Sequence, residues 1–206
     1  KVLKYRVPGF DTLSLDEKKL VYYLSQAALS GRDILFDQNG RYNLRIRRTL
    51  EAIYRGYTGD RTSESFRQFE KYLKKVWFAN GIHHHYSTDK FHPEFSEAYF
   101  DELIAATPAE NFPADFGSVE EVVAEIKPVI FDPAVMPKRV NQTEGEDLIV
   151  TSANNYYEGV TQKEVERFYA ERMNPHDTTP VSWGLNSKLV KEPDGRIVER
   201  VWKVGG

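Results

Sequence analysis

Val76-Trp77-Phe78-Ala79-Asn80-Gly81-Ile82-His83-His84-His85-Tyr86-Ser87-Thr88-Asp89-Lys90-Phe91-His92-Pro93 ends one helical pattern and leads toward the next. It holds four of the chain's five histidines and one of its three tryptophans. Asn80-Gly81 is a helix stop, so the imidazoles and Tyr86 fall on a loop between helices. Aromatic, imidazole and amide groups crowded on one loop compose a surface suited to holding a ligand.

Outward from this loop, amphipathic helices dominate. On the N-terminal side, Ser63 to Phe78 carries Phe66, Phe69, Leu73, Val76 and Trp77 at core spacing. Before it, Arg41 to Tyr57 repeats Ile46, Leu50, Ile53, Tyr54 and Tyr57 along one stripe. Arg41, Arg45 and Arg48 share another face of that helix, either to hold phosphate or, as the overall charge favours, to meet solvent and nearby carboxylates. Phe36-Asp37-Gln38-Asn39-Gly40 reads as a turn, and Gly31 closes a first helix. That helix opens on the capping box Ser14 to Glu17 and sets Leu20, Val21, Leu24 and Ala28 on one face.

On the C-terminal side, Pro93 opens a fourth helix with Tyr99, Phe100, Leu103 and Ile104 as its apolar face. A second capping box, Ser118 to Glu121, starts a helix that Pro128 limits. Leu148-Ile149-Val150-Thr151 reads as a short strand, and Thr161 to Glu164 caps a sixth helix. The final segment changes to alternation: Leu185 to Lys191 and Arg196 to Val204 flank the turn Glu192-Pro193-Asp194-Gly195. An isolated hairpin is marginal in water, so the reading expects an incomplete sheet in a chain cut from something longer.

The expected fold is therefore mainly α with a small β part: six helices and a terminal hairpin, with residues 1–206 as a single domain and lobe fragment. A chain of 206 residues buries roughly 70% of its unfolded surface without a staple. Net charge of -3 argues against a nucleic-acid partner, and no apolar run reaches membrane-span length. The lack of cysteine excludes thiol catalysis and cysteine zinc ligation.

The histidine run invites a metal reading, but consecutive side chains diverge and at most two of His83, His84 and His85 can converge, with His92 or Asp89 as a third ligand. The alternative is a polar, hydrogen-bonding loop. No His-Glu-x-x-His helix, glycine-rich phosphate loop or nucleophile elbow occurs.

The residues Tyr22-Tyr23-Leu24-Ser25-Gln26-Ala27-Ala28, Trp77 to Tyr86, Asp89-Lys90-Phe91-His92-Pro93, Asn155-Tyr156-Tyr157 and Asn186-Ser187-Lys188-Leu189 resemble, in order, dipeptidyl peptidase III of the bacterial, Bacteroides type. The resemblance implies the N-terminal, cleft-forming part of a zinc exopeptidase that releases dipeptides from peptide N-termini. It implies zinc in the full-length parent and none in this part, whose sequence lacks the His-Glu-x-x-Gly-His motif. The implied partners are short peptides and the C-terminal catalytic lobe of the same protein. The implied compartment is the cytoplasm, with export left open. In the family an aromatic residue of this loop lines the subsite for the substrate's N-terminal end, a position that falls on Tyr86. Asn80 shares the loop, His85 stands on its rim, and Asn154, Asn155 and Tyr156 come near the cleft. No residue of this part is catalytic on that reading. The alternative from another class is a non-catalytic helical peptide- or protein-binding module with its groove at Asn80 to Tyr86.

Overall fold

Three capping boxes and two apolar stripes prefigure the helices of the computed structural model, which describes residues 6–201. Two units are distinguished, Lys1–Leu35 and Phe36–Gly206.

In the first unit, α1 (Leu15–Ser30) starts at Ser14, whose amide donates to Glu17 Oε2 at 2.8 Å while its hydroxyl accepts from the Glu17 amide at 3.3 Å. Both orphan donors of the helix start are thus satisfied reciprocally. The expected core face does not form: no residue of α1 is buried, and Leu20, Val21 and Leu24 are all exposed. Leu15, Tyr22, Tyr23 and Leu29 are exposed as well, so apolar groups surround the helix and a lone helix has nothing of its own to bury them against.

After α1 comes a helix that the sequence reading took for a turn: α2 (Arg32–Asn39), whose last residues belong to the second unit. Its eight residues bury only Phe36, too little apolar periodicity to register as a helix. The described residues accordingly hold seven α-helices rather than six.

The second unit is built on α3 (Asn43–Gly56) and α4 (Glu64–Ala79), joined by α5 (Glu97–Ala105) and α6 (Val119–Phe131). Ile46, Leu50 and Ile53 of α3 and Phe69, Leu73 and Val76 of α4 are wholly buried, as their spacing requires. Each such side chain contributes about 1.5–3 kcal/mol by leaving water. Ser96 caps α5 by accepting from the Tyr99 amide at 3.1 Å, so α5 begins after Pro93 rather than at it. Pro128 does not end α6: the proline removes one donor, and the buried Val129 and Ile130 hold the last turn in place. Arg45 pairs with Glu125 of α6, and Arg48 donates to Asp115 at 2.8 Å, so these arginines serve the fold.

A second, smaller core gathers Val160, Val165, Phe168 and Leu189. It lies under α7 (Gln162–Ala170) and a three-stranded sheet of β1 (Tyr157–Glu158), β2 (Ser187–Lys191) and β3 (Ile197–Val201), in the order β1-β2-β3. The hairpin β2–β3 is antiparallel and closes where expected, with the Glu192 amide donating to the Arg196 carbonyl at 2.8 Å. The third strand comes from earlier in the chain and runs parallel to β2. Leu148 to Thr151 is not a strand. Asp147 Oδ1 accepts from the amides of Ile149 at 2.9 Å and Val150 at 3.0 Å, curling the backbone into a turn.

The protein is mainly α with a small β part. Among the described residues no helix is long and apolar enough to cross a membrane.

Candidate functional site

The histidine loop is fixed at its root. Asn80 ends α4 in the left-handed conformation at φ 53°, and Gly81 follows at φ 151°. The Ile82 amide donates to Asn43 Oδ1 at 3.2 Å, and a Cβ on Gly81 would stand 2.4 Å from Asn43 Nδ2. Only glycine permits that approach. Beyond it the chain folds back on itself: the Phe91 amide donates to the Ile82 carbonyl at 2.8 Å and the His84 amide to the Asp89 carbonyl at 2.7 Å.

The three imidazoles part company. His83 is buried, and its Nε2 lies 2.8 Å from the Met136 carbonyl. A carbonyl only accepts, so Nε2 carries the hydrogen. Burial pushes the His83 pKa down to about 4. His84 turns its Nδ1 to accept from the amides of Tyr86 at 3.2 Å and Ser87 at 3.1 Å, which shapes the tip of the loop. His85 faces outward. It stacks on His84 with ring centroids 4.7 Å apart and meets Tyr86 at 4.3 Å. Tyr86 is 84% exposed at the tip. Among the described residues no three His, Cys, Asp or Glu side chains are grouped to hold a metal.

Lys90 is buried at the far end of the loop, donating to the carbonyls of Asp132 at 2.6 Å and Val135 at 2.8 Å. Burial pushes its pKa down to about 8. Both ends of the loop are therefore tied to the 132–136 segment.

Arg139 joins this loop to the second predicted group. Its Nη2 donates to the His85 carbonyl at 3.2 Å and its Nη1 to Asn39 Oδ1 at 3.2 Å. Its own carbonyl accepts from the Asn154 amide at 3.1 Å and from Asn154 Nδ2 at 3.3 Å. The end of α2 completes the junction. Asn39 Nδ2 donates to the Asn80 carbonyl at 3.1 Å, and the Gln38 carbonyl accepts from the Asn155 amide at 2.9 Å. Asn155 Nδ2 donates to Asp37 Oδ1 at 3.3 Å, while Asn155 Oδ1 accepts from Lys188 Nζ at 2.8 Å. Tyr156 reaches Gln38 Oε1 at 3.5 Å, and burial raises its pKa.

So Asn80, His85, Asn154, Asn155 and Tyr156 meet around one junction, and Tyr86 projects from the loop tip. The side chains of Asn154 and Asn155 are already hydrogen-bonded within the protein and act there as framework. The sequence reading missed Arg139, Asn39, Gln38 and Asn43, which hold the junction together. The one available signal was a polar Asp37-Gln38-Asn39 run just ahead of the second apolar stripe.

Beside the junction, β1 is the edge of the sheet among the described residues. The Leu189 amide donates to the Tyr156 carbonyl at 2.9 Å, so strand alternation turns the backbone of Tyr157 away from β2. A groove of about 330 Å³ runs along this segment, lined by Arg41, Ser152, Asn154, Asn155, Tyr157 and Gly159 among others. An extended chain laid there finds an amide and a carbonyl of Tyr157 to pair with. Compared with known proteins, the chain matches no family model and no curated relative.

Proposed function

We propose that this chain is the N-terminal, substrate-cleft-forming part of a dipeptidyl peptidase III-like zinc exopeptidase that releases dipeptides from the N-termini of short peptides. The reading takes its family from the residue patterns quoted above. The observation that carries it is the edge strand β1 beside a groove, tied through Arg139 to the loop that presents Tyr86. On this reading the peptide backbone pairs with Tyr157 by strand addition, which gives affinity independent of side chains. As the resemblance implies, the ring of Tyr86 lines the subsite for the peptide's N-terminal end.

His83 and His84 suit a framework better than a zinc site. His83 commits Nε2 to Met136, and His84 commits Nδ1 to two amides. On this reading the C-terminal catalytic lobe would hold the zinc, which would supply Lewis-acid chemistry and an activated water there. The work of this chain is to align the peptide and to keep it extended.

The test is twofold. The whole protein is expected to hydrolyse a dipeptidyl-arylamide in the presence of zinc, and the 206-residue chain is expected to bind short unblocked peptides without hydrolysing them. Turnover by the chain alone, or binding that ignores whether the peptide N-terminus is blocked, contradicts the reading.

A further inference from the structure

The three arginines that share a helical spacing, Arg41, Arg45 and Arg48, part ways in the fold. Arg45 pairs with Glu125, and Arg48 with Asp115 at 2.8 Å. Arg41 stands just before α3, is exposed, and among the described residues has no carboxylate within ion-pair distance. Its guanidinium lies over the ring of Tyr42, 5.5 Å from the centroid, and on the lining of the groove beside β1.

That groove has two chemically different ends. At one, the Gly40–Arg41 corner meets residues 153–155: the Asn155 amide donates to the Gln38 carbonyl at 2.9 Å, and a Cβ on Gly40 would stand 3.5 Å from the Ala153 carbonyl oxygen. At the other, Asp147 Oδ1 accepts from the amides of Ile149 at 2.9 Å and Gln162 at 3.2 Å, which brings Ile149, Val150 and Val160 together on the lining. Glu158 is the one carboxylate on the lining, and it is already engaged. Lys188 Nζ lies 2.5 Å from it and holds its pKa below the ordinary carboxylate range, with Arg41 adding a weaker push in the same direction. The groove therefore presents one cation whose charge no ion pair of the fold uses.

We infer that Arg41 is the residue by which this groove selects its peptide: it receives a carboxylate of the extended segment, an acidic side chain or the C-terminus, while an apolar side chain of the segment seats at Ile149 and Val150. The inference rests on the strand-addition reading of β1 and names its ligand more closely. Pairing at Tyr157 fixes the backbone without regard to side chains, so a charged anchor at one end is what distinguishes one segment from another. The planar guanidinium takes a carboxylate through two parallel hydrogen bonds, and a peptide lying over it removes water from the pair. A phosphate dianion fits less well, because it meets a single uncommitted cation beside the Glu158 carboxylate.

The test compares three short valine-rich peptides with free N-termini on the 206-residue chain: one with a free C-terminus, its C-terminal amide, and that amide with one residue replaced by Glu. At low ionic strength at least one of the two acids is expected to bind about three- to tenfold tighter than the neutral amide, and the tighter acid identifies the source of the carboxylate. The advantage is expected to shrink as salt rises and to vanish in Arg41→Gln, with Arg41→Lys keeping part of it. Arg41 is solvent-facing, so an unchanged melting temperature accompanies the loss. Equal affinity for all three peptides, an acid advantage that survives Arg41→Gln, or stronger competition by inorganic phosphate than by acetate overturns the inference. Exchange at the Tyr157 amide is read alongside. If it slows while Arg41→Gln changes nothing, the carboxylate role fails and strand addition stands; if it slows with none of the peptides, both fail.

Discussion

Arg139 Nη2 donates to the carbonyl of His85 at 3.2 Å, across 54 positions of sequence. The same guanidinium reaches Asn39, and the carbonyl of the same residue takes both donors of Asn154. One residue thus ties the loop that carries Tyr86 to the segment that leads into β1. Replacing it with Gln is expected to cost about 1–3 kcal/mol of stability, since His85 and Asn39 lose a charged donor. Arg139→Lys is expected to recover little of this, because an ammonium lacks the planar fork that serves two acceptors. Urea unfolding measures the loss, and faster amide exchange at His84 and Thr88 marks its location.

Gly81 is the second point of failure. At φ 151° and 2.4 Å from Asn43 Nδ2, an added Cβ forces Asn43 off the Ile82 amide. Gly81→Ala is expected to destabilise by about 2–4 kcal/mol, combining strain with a broken buried hydrogen bond. Chemical denaturation decides it, and an unchanged midpoint contradicts the described root of the loop.

Acid weakens the fold in two windows. His83 protonates near 6.5 when unfolded but only near about 4 when folded, because burial disfavours its charge. Between those values the unfolded chain holds more protons, so stability is full above pH 6.5 and falls by up to about 3 kcal/mol toward pH 4. Glu164 has the carboxylate sign: the Lys191 hydrogen bond holds its pKa at about 2, so its contribution is present above 4.5 and is lost as pH falls toward 2. His83→Gln, which still offers a donor to Met136, is expected to flatten the upper window, and Glu164→Gln the lower one. Thermal melts across pH read both.

Tyr86 separates function from stability. At 84% exposure it bears no core, so Tyr86→Ala is expected to change stability by less than about 0.5 kcal/mol. On the proposed peptidase reading, the same substitution in the whole protein is expected to weaken peptide binding and leave any bound zinc unchanged. An unaltered Michaelis constant and turnover contradict its assignment.

Much of the fold was legible because its causes are local. Ser14, Ser118 and Thr161 cap their helices with the glutamates three residues on, and the stripes of α3 and α4 are buried as spaced. What escaped has causes elsewhere. α2 carries one buried residue, Pro128 is overruled by the packing of its neighbours, and a single aspartate turns Leu148–Thr151 away from a strand. The site escaped for the same reason. The composition of the histidine loop suggested a surface for a ligand, but no local pattern shows Asn39 holding Asn80 across 41 positions or Asp37 meeting Asn155 across 118.

The central claim is that an extended peptide adds to the edge of β1, and the Tyr157 amide reports it most directly. With saturating short unblocked peptide, hydrogen exchange at that amide is expected to slow by about tenfold or more, as it gains a backbone acceptor on the edge facing away from β2. Unchanged exchange at Tyr157 while the peptide is bound contradicts the account.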